Sequence, residues 1–310
     1  MHEGSRRAIT AAFLANLGIA IAKFVAFAIT GAASLLAEAI HSVADTGNQG
    51  LLFLGGRRAR KPATRLHPFG YGRERYFWAF VVALVLFSLG AVFALVEGIE
   101  KLLHPHGIED PIVAYVVLGV AIALEAASFR TAIREASKVR RRHSWWQFIR
   151  AAKSPELPVV LLEDFGALIG LLFALVGITL SELTGEPAFD ALGSIAIGML
   201  LGVIAAVLAV EMKSLLIGEA AAPAEEQAIV DSIEADPQVE RLIHLRTQHL
   251  GPEELLVAAK VELAADTMPR LGAAIDDLER RIRSAVPTAR VIYIEPDEYR
   301  PSENDDDDPE

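Results

Sequence analysis

The chain has 310 residues, 53% of them hydrophobic, with a mean hydropathy of +0.37 and a formal net charge of −11. Apolar residues gathered in long blocks exclude an ordinary soluble domain. The absence of cysteine excludes a disulfide framework and any thiolate metal site.

Six blocks, at about 8–30, 34–56, 76–103, 111–135, 157–181 and 189–217, approach the roughly 20 residues that cross a bilayer as helix. The first begins at the basic stretch Ser5-Arg6-Arg7 and contains Asn16 and Lys23. That is a full-length span and not a short signal-peptide core, so it is expected to stay attached.

The second block carries Glu38, His41, Asp45 and Asn48. His41 and Asp45 are four residues apart, which places both on one helical face. Ionisable groups at membrane depth are costly and mark ion or proton paths, and a divalent cation is the partner that would justify this pair. A lone histidine here would read as a buried, hydrogen-bonded side chain. The fifth block carries a second acidic pair, Glu163 and Asp164.

Lysine and arginine concentrate on alternate loops. Arg6 and Arg7 precede the first block, Arg57, Arg58, Arg60, Lys61, Arg65, Arg73 and Arg75 follow the second, and Lys138, Arg140, Arg141, Arg142, Arg150 and Lys153 follow the fourth. The positive-inside rule then places both termini and these loops in the cytoplasm, with the turns near Gly31, 104–110 and 181–187 outside. Juxtamembrane arginines of this kind read as topogenic or lipid-facing, and no nucleic-acid partner is expected. An alanine-rich, cysteine-free chain is compatible with a bacterial inner membrane.

After Gly218 the pattern becomes that of a small soluble domain over 219–296. A helix is expected at 224–235, with Glu225 and Glu226 suiting its N-terminal dipole. Strands are expected at 239–248 and 255–263 around a turn at Gly251-Pro252, then a helix at 269–286 and a strand at 290–294. The order αββαβ buries one sheet face under two helices. Residues 297–310 hold the run Glu303-Asn304-Asp305-Asp306-Asp307-Asp308, a like-charge tail expected to be disordered.

Ser34-Leu35-Leu36-Ala37-Glu38-Ala39-Ile40-His41-Ser42-Val43-Ala44-Asp45 with Asn48-Gln49, and His67-Pro68-Phe69-Gly70-Tyr71-Gly72-Arg73 beyond the second block, resemble the cation diffusion facilitator family of divalent-metal transporters. The resemblance implies six transmembrane helices followed by a cytoplasmic αββαβ domain, ferredoxin-like and similar to a metallochaperone. It implies a homodimer that exports zinc, or manganese, iron, cobalt or cadmium, from the cytoplasm in exchange for protons, with the metal as cargo and no prosthetic group.

In that family an acid-or-His-x-x-x-Asp motif on the second span and a His-x-x-x-Asp motif on the fifth build a tetrahedral shell suited to zinc. The first half is matched by His41 and Asp45. In the second half, within Leu161-Leu162-Glu163-Asp164-Phe165-Gly166-Ala167, Asp164 matches the aspartate while Val160 stands at the histidine position, as in a Leu-Leu-Glu-Asp subgroup. The fourth ligand is then Glu163, water, or Glu38, which lies three residues before His41. Replacing imidazole by carboxylate or water shifts such a site from zinc towards manganese, magnesium or ferrous iron. Glu163 is equally open to a pairing with Lys23 or Lys153.

His67 sits where family members place an interfacial metal, but Thr64 and Tyr71 occupy the positions where further ligands would be useful, and a structural role is expected. In the C-terminal domain His244, His249, Glu295 and Asp297 are candidates, yet Ile243, Ala259 or Lys260, and Tyr293 stand at the ligand positions, so no strong binuclear site is expected. Two other classes compete with a transporter. One is an intramembrane metalloenzyme, against which the missing nucleophile and headgroup motif argue. The other is a metal-responsive protein that has lost transport.

Overall fold

A computed structural model describes residues 3–108, 110–140, 144–265 and 267–300, with the backbone alone in 3–16, 86 and 87. The acidic run at 303–308 and the side chains of Arg6, Arg7, Asn16, Arg141 and Arg142 lie outside the described residues. The chain forms two compact units. One comprises the chain up to Arg57 together with Tyr76–Lys213; the other joins Arg58–Arg75 to the chain from Ser214 onwards.

The first unit is helical. It contains α1 (Glu3–Thr30), α2 (Ala33–Ala59), α3 (Glu74–Val81) continuing through the π-helical turn Val82–Phe87 into α4 (Ser88–Leu103), α5 (Pro111–Arg140), α6 (Trp145–Ala151), α7 (Glu156–Thr184) and α8 (Ala188–Ile217). Among the described residues, four helices are long and apolar enough to cross a membrane: Glu74–Leu103, Pro111–Arg140, Glu156–Thr184 and Ala188–Ile217. Leu17–Thr30 of α1 is a shorter apolar stretch. In α2 the polar residues Glu38, His41, Ser42, Asp45, Thr46 and Asn48 are buried, so this helix turns its polar side inward. Leu89, Val92, Val96, Ile112, Val116, Val120, Met199, Val203 and Val210 are exposed, which is the reverse of a soluble protein's surface and fits helices bathed in hydrocarbon.

Helix ends follow local chemistry. Gly31, at φ +61°, closes α1 and allows an immediate reversal into α2. Gly185, also left-handed, ends α7, its N–H bonding to Ser181 O. The short α6 was not expected from the sequence, although Ser144 and Gln147 form a reciprocal capping box at its start. Ring stacking helps to hold it: Trp145 lies under the Arg140 guanidinium at 4.2 Å.

Small residues allow helix backbones to meet. A Cβ on Gly98 of α4 would stand 2.9 Å from Ala191 O on α8, and a Cβ on Gly198 of α8 would stand 2.9 Å from Ala91 O on α4. Between these two points Ser194 Oγ donates to Ala94 O at 2.9 Å. Gly177 and Gly193 bring α7 and α8 together in the same way. In membranes such close approach replaces the hydrophobic driving force that hydrocarbon removes.

The second unit holds α9 (Pro223–Glu234), β1 (Val239–Gly251), β2 (Glu254–Leu263), α10 (Met268–Ala285) and β3 (Ala289–Pro296). The sheet runs β1-β2-β3, with β1 and β2 antiparallel and β2 and β3 parallel. Alternate residues of β2, Leu255, Val257, Ala259 and Val261, are buried with Ile229 and Ile233 of α9 and Leu278 and Ile282 of α10. The period-2 pattern of the strand thus faces the 3.6-period stripes of two helices. The loop at 58–75 packs here: a Cβ on Gly72 would fall 2.7 Å from Leu250 O, and Arg75 lies 3.6 Å from Glu253.

Candidate metal site

The sequence pattern that puts His41 and Asp45 on the inner face of α2 also puts Ser42 and Gln49 there. Ser42, Asp45 and Gln49 line a small cavity whose other walls are Ile19 of α1, Glu125 and Ser128 of α5, and Glu163 and Asp164 of α7. It has room of about 30 Å³, enough for a water molecule or a single ion. Asp164 is oriented by Ser128, whose hydroxyl donates to Oδ2 at 2.9 Å. Glu163 is only 3% exposed, and its Oε2 has no hydrogen-bond partner among the described residues. His41 Nδ1 stands 3.5 Å from Asp45 Oδ1, so the imidazole backs the aspartate without lining the cavity. Asn48 is wholly buried, and neither polar atom of its side chain has a partner among the described residues.

Glu38 does not line the cavity. It pairs with Lys23, whose ammonium reaches Glu38 Oε2 at 3.0 Å and Ser42 Oγ at 2.8 Å, all three side chains being buried. Burial of a carboxylate requires a partner, and Lys23 supplies it from α1. The expected alternative role of Glu163 as the partner of Lys23 is therefore filled by Glu38. Val160, one turn before Asp164 on α7, is half-buried and is also not on the cavity wall.

Sequence reasoning missed Glu125. It is an isolated acid in the middle of the apolar fourth block, ten residues from the next one, Glu135, with no motif to mark it. Its only sequence signal is the i,i+3 spacing to Ser128, which puts both on one face of α5. Among the described residues, no three histidine, aspartate or glutamate side chains converge closely enough to form a ready-made metal shell.

A second buried network lies elsewhere in the helical unit. Asp190 of α8 accepts from Ala33 N at 2.8 Å, from Ser34 Oγ, and from Lys101 Nζ at 2.8 Å, while Lys101 also donates to Gly31 O at 2.9 Å. A carboxylate at the first turn of α2 suits that helix's dipole. In the loop, the His67 and Tyr71 rings meet at a tilt with centroids 4.6 Å apart, and the His67 backbone N–H donates to Thr64 Oγ1 at 3.1 Å. In the sheet unit Asp297 and Glu295 lie 3.1 and 3.5 Å from Lys260. The lysine holds the Asp297 carboxyl below the usual range, and Asp297 in turn raises the lysine.

The cation efflux transmembrane domain matches residues 9–217. The chain belongs to the cation diffusion facilitator, or cation efflux, family. It is 34% identical over 250 residues to the proton-coupled zinc antiporter SLC30A9, mitochondrial, of Xenopus laevis, covering 80% of this chain and 45% of that protein. It is 30% identical over 262 residues to metal tolerance protein C4 of Arabidopsis thaliana, covering 84% and 57%. Similarity to the cation-efflux pump FieF of Escherichia fergusonii is 30% over 292 residues, covering 93% and 91%. The chain thus spans about half the length of the antiporter and tolerance-protein relatives and nearly all of the efflux pump. As a cation efflux protein with long apolar helices, it is an integral membrane protein.

Proposed function

We propose that this cation efflux protein exports a divalent metal ion from the cytoplasm in exchange for protons, with zinc the first candidate because relatives are named zinc antiporters. The observation that carries the reading is the cavity between α2, α5 and α7, which Asp45 and Asp164 both line, and the reading puts that cavity at membrane depth. Uncompensated carboxylates there are costly, and a cation or protons must offset them. Imidazole and carboxylates have to be deprotonated to bind metal, so metal and protons compete for the same groups, which is the physical basis of antiport. The ligand set we propose is Asp45, Asp164 and Glu163, with His41 directly behind Asp45. The reading includes membership of the Leu-Leu-Glu-Asp subgroup, which Glu163 beside Asp164 supports.

The same reading takes 1–218 as a six-span transport domain, with α1 and α2 joining the four strongly apolar helices. It takes 219–296 as a cytoplasmic αββαβ domain resembling a metallochaperone, and 297–310 as an acidic tail. It places both termini in the cytoplasm of a bacterial inner-membrane protein that works as a homodimer, as a transporter and not an enzyme. Purified protein in sealed vesicles should move Zn, Mn, Fe, Co or Cd against an imposed pH gradient, with flux collapsing when the gradient is dissipated. Absence of flux for all five ions would overturn the proposal.

A further inference from the structure

The cavity is lined by four carboxylates from three helices, Asp45 on α2, Glu125 on α5, and Glu163 and Asp164 on α7, with hydroxyls from Ser42 and Ser128 and the amide of Gln49. Among the described residues, no imidazole lines it. Its polar wall is therefore oxygen, apart from one amide nitrogen. Lys23 hydrogen-bonds both Ser42 on the cavity wall and Glu38 behind it, so one ammonium stands beside four lining carboxylates.

One observation lifts this above an acidic cluster, and a second sets α5 against it. Glu163 is 3% exposed and lines the cavity with an Oε2 that has no partner among the described residues. And α5 is already engaged with the aspartate of the fifth span through Ser128. Glu125 is three residues earlier on the same face. Val160, where a histidine would complete the shell, is off the wall.

Building on the transport reading above, we propose that Glu125 is a ligand of the translocated cation and supplies, from α5, the donor that Val160 cannot. The shell is then made of carboxylate oxygens. Oxygen donors suit harder divalent cations, and the exchange of imidazole for carboxylate moves preference from zinc towards manganese or ferrous iron. Glu125 is thus the selectivity residue of this chain.

The test measures equilibrium binding of Mn2+ and of Zn2+ to the full-length protein in detergent at fixed pH, alongside flux in vesicles, for wild type, Glu125→Gln, Glu125→Asp and Asp164→Asn. Glu125→Gln should weaken Mn2+ binding at least tenfold and Zn2+ binding less, raising the zinc-to-manganese ratio. Glu125→Asp, which keeps the charge and shortens its reach, should fall between wild type and Gln. If Glu125→Gln binds both ions as wild type does while Asp164→Asn loses them, Glu125 is no ligand although the transport site stands. If Asp164→Asn also binds normally, or wild type binds neither ion, the site itself is wrong and Glu125 falls with it. Should Glu125→Gln fail to give monodisperse protein, Glu125→Asp decides: an altered metal ratio supports the proposal and an unaltered one overturns it.

Discussion

Lys23 and Lys101 are fully buried ammonium groups in the helical unit, and each is held by a carboxylate and a further oxygen. Removing one member of such a pair leaves the other charged and stranded. Asp190→Asn should therefore cost about 3–5 kcal/mol, because Lys101 loses its counter-charge and the first turn of α2 loses a charged acceptor. Lys101→Met combined with Asp190→Asn should recover part of the loss. Thermal unfolding in detergent, read as a double-mutant cycle, checks the coupling; additive losses would show that the two residues act separately. Around the cavity the expectation concerns activity. Asp45→Ala and Asp164→Ala should each abolish metal flux while the protein stays inserted, whereas His67→Ala, which loses only a ring contact in a loop, should keep most of it. Equal loss in all three would indicate misfolding and not a site.

At the scale of single helices, α7 presents Asp164 to the cavity but not Val160, which is one turn away and half-buried. Val160→His puts a longer side chain one turn from Asp164; an imidazole that reaches into the cavity from there should move selectivity towards zinc and make Glu125→Gln less harmful. Overpacking could cost about 1–3 kcal/mol, so the ratio of zinc to manganese flux is read only on well-folded protein. An unchanged ratio would mean that position 160 stays off the ion path. The helix blocks, the C-terminal strands and the His41–Asp45 pair were legible in the sequence because hydropathy and spacing report one element at a time. Glu125 was not, since its importance comes from α7 across the cavity, and neither was the Lys23–Glu38 pair, which joins two helices. The π-helical turn at Val82–Phe87 was hidden for another reason: hydropathy is blind to whether a carbonyl bonds four or five residues ahead. The helix α6 could have been found, because Ser144 and Gln147 carry a capping box in plain sequence.

At the scale of the whole molecule, charge asymmetry is the argument for orientation. Single cysteines introduced at Gly107 and at Ala220 should react with an impermeant thiol reagent from opposite sides of the membrane. Reaction of both from one side would end the six-span scheme. The isolated fragment 220–296 has its own buried core among α9, β2 and α10 and should fold and self-associate; a monomer both for the fragment and for the full-length protein would count against the homodimer.

The glycine-mediated contact of α4 with α8 sets Gly98 and Gly198 each against a backbone carbonyl of the other helix, with the Ile195 and Leu95 side chains packed beside them. In mechanical terms the two helices form a strut: sliding one along the other would drive a carbonyl into an α-carbon within a fraction of a turn. Gly177 and Gly193 tie α7 to α8 in the same way, so a transport cycle that opened the cavity to each side in turn would carry α4, α7 and α8 as one piece, with α2 and α5 moving against it. Cysteines placed at Ala94 and Ser194 and joined by a short bifunctional reagent should leave metal exchange running, and arrest on joining would show that the strut itself has to yield.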